Sequence, residues 1–141
     1  MKEERDVFVT MRDGVRIAVD IFRPDADGKF PALLGMSPYG KGIQSLTIPS
    51  QPEYSPIHHT PIEAGSPEYF ASRGYVHIIA DVRGTGHSEG EYLGWMSSQE
   101  AQDGYDLVEW IAEQPWCDSN VGMVGISYFG TIQLPVAAQQ P

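Results

Sequence analysis

The chain has 141 residues, enough for one domain with a buried core and too few for two. Its net charge of −10, with nine scattered basic residues, excludes a nucleic-acid-binding surface, which needs clustered Lys and Arg. No apolar stretch approaches the ~20 residues of a membrane helix, and the single cysteine, Cys117, cannot form an internal disulfide.

The chain opens Met1-Lys-Glu-Glu-Arg-Asp6, which is charged and lacks the apolar run of a secretory signal, so a cytoplasmic location is the default expectation. Val7 and Val9, then Val15, Ile17, Val19 and Ile21, alternate with more polar positions on either side of Asp13-Gly14. That pattern predicts two strands joined by an Asp-Gly turn. Residues 24–29 are a loop by composition. The continuous apolar run from Phe30 to Met36 predicts a strand buried on both faces. Ser37-Pro-Tyr-Gly-Lys-Gly42 interrupts it as a second loop. The segment that follows, to about Gly65, carries Pro49, Pro52, Pro56 and Pro61, a spacing that excludes a long helix.

Ser66-Pro67-Glu68 reads as a helix start: Ser as N-cap, Pro in the first turn, then an acid. This short helix is predicted to end near Arg73-Gly74. Tyr75 to Ala80 is the next buried strand, and it delivers the chain into a glycine-rich loop, Asp81-Val-Arg-Gly-Thr-Gly-His-Ser-Glu-Gly90. Ser97 and Glu100 have capping-box spacing. Ala101, Tyr105, Val108, Ile111 and Ala112 then recur at helical intervals. Asp103, Asp106, Glu109 and Glu113 fall on the polar flank, which predicts an amphipathic surface helix closed by Pro115. Val121 to Gly125 is a short strand, and residues 131–138 read as a helix in which Pro135 sits or makes a kink.

The order predicts a single α/β domain over residues 1–141. An antiparallel hairpin leads into a mostly parallel sheet with helices on both faces. Catalytic loops in such sheets gather at the carboxyl ends of the strands. Tyr39, Asp81 and Ser127 each lie just past such an end and are expected to face one crevice.

Gly125-Ile-Ser-Tyr-Phe-Gly130 has the form of a nucleophile elbow, a sharp strand-to-helix turn that projects a serine hydroxyl. Gly125 stands two before Ser127, as the general G-x-S-x-G pattern asks, but Phe129 stands where the second glycine belongs. The turn places the Tyr128 backbone N–H as one oxyanion donor, with a second expected from the Tyr39 region.

Four motifs occur in order: Met11-Arg-Asp-Gly-Val-Arg16, Ser37-Pro-Tyr-Gly-Lys41, the loop 81–90, and Trp116 through Gly130. Together they resemble the N-terminal part of the cocaine esterase and Xaa-Pro dipeptidyl-peptidase family of serine hydrolases, to which α-amino-acid ester hydrolases and glutaryl acylases are related. In that family the elbow reads G-x-S-Y-x-G, which accommodates Phe129. The resemblance implies the N-terminal part of an α/β-hydrolase fold over residues 1–141, with Ser127 as nucleophile and the Tyr39 hydroxyl and the Tyr128 N–H as the oxyanion hole. It implies an acyl-enzyme mechanism on small ester, amide or peptide substrates, no cofactor, no metal, and the parent's oligomeric state left open. Segment 42–65 would shape an acyl pocket or an oligomer contact.

Chain order in this fold is Ser, then Asp or Glu, then His, yet no acid or histidine follows Ser127 here. The family's acid and base lie far downstream, beside a cap and a C-terminal β-sandwich. The expectation is therefore the opening quarter of a larger enzyme, inactive alone. The alternatives are a non-catalytic fragment, a complementing partner-binding half, or another α/β-hydrolase such as a thioesterase. His77 is expected to be a core residue, and His87 belongs to a structural loop. The adjacent pair His58 and His59 is a poor chelate and reads as solvated loop. Asp81 and Arg83 are expected to pair or hydrogen-bond and so brace the glycine loop. Cys117 reads as packing. Trp95 and Trp116 read as core or cap-contact residues.

Overall fold

The hairpin forms where the alternation puts it. In the computed structural model, which describes residues 1–44, 46 and 62–141, β1 (Lys2–Thr10) and β2 (Arg16–Arg23) pair antiparallel, with Thr10 opposite Arg16. Gly14 takes φ 88° in the turn between them, a left-handed conformation that glycine adopts without a Cβ penalty. The register slips between Glu4 and Val7, and Asp6 stands at φ 52° in that bulge. Its N–H donates to Asp20 Oδ1 at 3.0 Å.

β3 (Phe30–Ser37) and β4 (Val76–Asp81) are central and parallel to each other. β4 is also antiparallel to β2, and β5 (Cys117–Met123) joins the far side of β3 in parallel. The sheet order is therefore β1-β2-β4-β3-β5, a hairpin feeding a parallel sheet, as the alternation of elements predicts. β5 begins earlier than Val121. Cys117 at its start is buried, while residues 118–120 are exposed on an edge strand whose pairing with β3 slips between Phe30 and Ala32, and Ser119 stands at φ 71°.

α1 (Lys41–Gln44) is a single turn at the foot of the proline-rich segment; the rest of that segment, with His58 and His59, lies outside the described residues. α2 (Pro67–Ala71) is capped by Ser66, whose hydroxyl accepts the Tyr69 N–H, with Pro67 in the first turn. α3 (Ser98–Ala112) starts in a complete capping box between Ser97 and Glu100. α4 (Tyr128–Thr131) and α5 (Gln133–Ala137) replace the single predicted helix. The break falls at Ile132 because Pro135 lacks an N–H and its ring crowds the carbonyl of Thr131, four residues earlier.

The main core lies between the sheet and α3, where Val76, Ile78, Ala80 and Val82 meet Leu107, Ile111 and Val136. A smaller cluster of Phe22, Ala64, Ile79 and Phe129 forms separately. α3 differs from its sequence reading on one side. Its buried face is Glu100, Ala101, Asp103, Gly104, Leu107 and Ile111, so Asp103 lies inside and not on the polar flank. The reason is Arg83, whose Nε and Nη2 donate to the two Asp103 oxygens at 2.8 and 2.7 Å.

Candidate active site

β5 passes its ladder one residue beyond its end, with Val124 N donating to Leu34 O at 3.0 Å, and then turns sharply. Gly125 takes φ 132°, and a Cβ there would overlap the Phe129 side chain. Phe129 also packs across Gly35, leaving only 3.3 Å to an added Cβ. Two glycines thus make room for a fully buried phenylalanine, which is how the elbow accommodates Phe129 where the general pattern has a glycine. Ile126 N donates to the Glu63 carbonyl at 3.0 Å and ties the turn to the segment before α2.

Ser127 follows at φ 57°, ψ −123°, a backbone conformation sparsely populated by residues with a Cβ. It is exposed, and its hydroxyl makes no hydrogen bond to the described residues. Its carbonyl accepts the Gly130 and Thr131 N–H groups at 3.1 and 2.9 Å, which seats it as the cap of α4. Tyr128 is the first residue of that helix, where N–H groups have no intrahelical acceptor, and its N–H has no acceptor among the described residues. Its side chain runs the other way, fully buried. The Tyr128 hydroxyl donates to Glu100 at 2.6 and 2.8 Å and accepts the Met96 N–H at 3.3 Å.

Tyr39 comes from the loop after β3. Its N–H donates to Ser37 Oγ at 3.1 Å, and its ring, 42% exposed, meets the Tyr128 ring edge-on at 5.6 Å. The structure therefore brings Tyr39 to the residue next to Ser127, although the two come from loops after β3 and β5. Trp95, 64% exposed, lies against the other part of the Tyr128 ring at 4.8 Å, so it is not a core residue. Trp116 is half-buried against the core.

Asp81, past the end of β4, clasps two loops. It accepts Lys41 N at 2.7 Å and His87 N at 3.0 Å. Gly86 at φ 51° is needed there, because a Cβ would overlap the Asp81 carboxylate. Lys41, nearly buried, extends its Nζ to Asp6 at 2.5 Å and to Asp20 at 3.1 Å. Arg83 bonds Asp103 and also reaches Asp13 in the hairpin turn at 2.7 Å, which holds the guanidinium pKa above its ordinary value. Asp81 and Arg83 both brace the glycine loop, but each through other partners and not through one another.

Among the histidines, His87 is exposed, with Nδ1 2.7 Å from Asp6. His77 is wholly buried between Phe22 and Phe70. Neither of its ring nitrogens makes a well-formed hydrogen bond, and burial pushes its pKa down to about 4, opposed only by the nearby Ala64 backbone. Burial likewise pushes the Cys117 thiol up, away from reactivity. Among the described residues, no group of three His, Cys, Asp or Glu side chains is placed to hold a metal.

Two features escaped the sequence. The Glu100–Tyr128 bond was hidden because the capping box already accounts for Glu100. The Lys41–Asp6–Asp20 cluster joins residues with no local spacing signal.

Residues 13–141 match the X-Pro dipeptidyl-peptidase (S15 family) profile. The chain is 40% identical over 132 residues to a cocaine esterase from Rhodococcus sp. (strain MB1 Bresler), covering 94% of this chain and 20% of that protein. It superposes on the crystal structure of a CocE/NonD family hydrolase from Staphylococcus aureus with a TM-score of 0.81 and 35% identity, over 99% of this chain and 25% of that one. An α-amino acid ester hydrolase shares the fold, with a TM-score of 0.74 at 24% identity over 99% of this chain and 23% of that one. The chain thus spans a fifth to a quarter of the length of these three proteins.

Proposed function

The chain belongs to the X-Pro dipeptidyl-peptidase (S15) family of hydrolases, and from that premise we propose that it carries the nucleophile and oxyanion donors of a serine hydrolase. One observation carries the reading: an exposed serine held at φ 57°, ψ −123° between a sheet strand and a helix start. Strain of this kind persists only where the surroundings impose it, and it concentrates at functional sites.

In this reading Ser127 Oγ attacks the carbonyl carbon of an ester or amide while its proton passes to a base. The carbonyl oxygen becomes an oxyanion, received by the Tyr128 N–H and the Tyr39 hydroxyl. Collapse expels the alcohol or amine, which takes up the proton, and leaves an acyl-enzyme. Water, deprotonated by the same base, then releases the acid and restores Ser127. The base and its orienting carboxylate come from sequence outside these 141 residues. Two observations support that assignment: no acid or histidine follows Ser127, and the matched relatives are several times longer. The substrates are small esters or peptides with proline second from the amino terminus.

The test is pre-steady-state hydrolysis of a p-nitrophenyl ester and an alanyl-prolyl anilide by the intact hydrolase. A burst of released chromophore equal to the enzyme concentration, abolished in Ser127→Ala, is the expected result. Turnover of neither class, or turnover insensitive to that substitution, contradicts the reading.

A further inference from the structure

Glu100 is 2% exposed, although the capping box occupies only one of its carboxylate oxygens. Ser97 N donates to Oε2 at 3.1 Å, and Glu100 N donates in return to the Ser97 hydroxyl oxygen at 3.2 Å. A cap at a helix start needs no burial, since such carboxylates ordinarily sit in water. Burying a charge is costly unless it is paired and hydrogen-bonded. What meets Glu100 on the inside is the Tyr128 hydroxyl, 2.6 Å from Oε1 and 2.8 Å from Oε2.

Tyr128 is the residue next to the strained serine, and every part of its side chain is held. Its ring lies between Tyr39 at 5.6 Å and Trp95 at 4.8 Å, and its oxygen also accepts Met96 N at 3.3 Å. Resting on the reading of Ser127 as nucleophile, we propose that Glu100 is a positioning residue for the reaction. By holding the Tyr128 hydroxyl it fixes the strained Ser127 backbone, the Tyr128 N–H and, through the ring, Tyr39. Burial pushes the Glu100 carboxyl up and pushes the Tyr128 phenol up further, so the phenol keeps its proton and donates it. The arrangement gives one buried carboxylate two tasks: starting α3 and anchoring the elbow.

The experiment is a double-mutant cycle in the intact hydrolase with Tyr128→Phe, Glu100→Met and their combination, beside Glu100→Gln and Ser127→Ala. Tyr128→Phe keeps the ring and the backbone N–H and removes only the hydroxyl. Tyr128→Phe and Glu100→Met are each expected to lower kcat by roughly ten- to a hundredfold with KM nearly unchanged, the loss that small misplacement of reacting groups causes. The combined variant is expected to be no slower than Tyr128→Phe alone. Its melting temperature should recover relative to Tyr128→Phe, because no buried carboxylate is left without its partner, while kcat stays low. Glu100→Gln retains an acceptor for both bonds and should keep most of the activity. A purely structural role predicts that kcat follows the melting temperature. Recovery of kcat with stability in the combined variant, or kcat unchanged in all three, overturns the proposal. Turnover surviving in Ser127→Ala would instead overturn the nucleophile reading beneath it.

Discussion

The Tyr39 ring meets the Tyr128 ring edge-on, with centroids 5.6 Å apart and planes at 71°. One residue offers its side-chain hydroxyl and the other its backbone N–H to the same proposed oxyanion, so the contact couples the two donors mechanically. The loop after β3 cannot drift without disturbing the residue beside Ser127. Edge-to-face pairs of this kind contribute about 1 kcal/mol beyond burial.

Tyr39→Phe separates the donor from the packing. The ring contact survives and the hydroxyl is lost, so kcat should fall by roughly a hundred- to a thousandfold, as for loss of one oxyanion donor. KM and the melting temperature should hardly move. Steady-state kinetics together with a thermal melt decides it; an unchanged kcat removes Tyr39 from the oxyanion hole.

His77 makes stability depend on pH. Its folded pKa, about 4, lies below the ordinary 6.5, so the unfolded chain takes up the proton first as pH falls. Its contribution is whole above pH ~6.5 and is lost progressively toward pH ~4, about 3 kcal/mol in all. Urea unfolding at several pH values in this window should show that loss, and His77→Leu should flatten it. Parallel curves for the two proteins contradict the assignment.

Arg83 binds three pieces of the fold: the glycine loop, Asp103 on α3 and Asp13 in the hairpin turn. Arg83→Leu leaves Asp103 buried and unpaired, a change that costs about 3–5 kcal/mol. Replacing Asp103 by Leu as well should restore much of the loss, because no orphaned charge remains. Chemical denaturation of the single and double variants reads this directly, and additive losses would show that the pair is not the cause.

How much of this was legible in the sequence follows the range of the interactions. The hairpin about Asp13-Gly14, the two central strands, the Ser66 cap and the Ser97–Glu100 box each rest on residues within a few positions of one another, and each was readable. The elbow was readable for the same reason, once Phe129 was allowed its place. The position of α3 is legible in its periodicity but its inner face is not, since Asp103 is drawn inside by an arginine in another loop. The first half of β5 is not legible, because its polar residues on an edge strand carry no alternation. Motif and resemblance point to Tyr39, Tyr128 and Ser127, but the Glu100 anchor and the Lys41 cluster depend on contacts across the fold that no spacing announces.

The central claim is that Ser127, exposed and strained at the end of β5, is the nucleophile. The most direct measurement is labelling of the intact hydrolase with a fluorophosphonate, followed by mass spectrometry of its peptides. The account predicts one phosphonyl adduct per chain, located on Ser127 and absent in Ser127→Ala, with labelling of the isolated 141-residue chain far slower for want of a base. An adduct on another residue, or rapid Ser127-dependent labelling of the isolated chain, would contradict it.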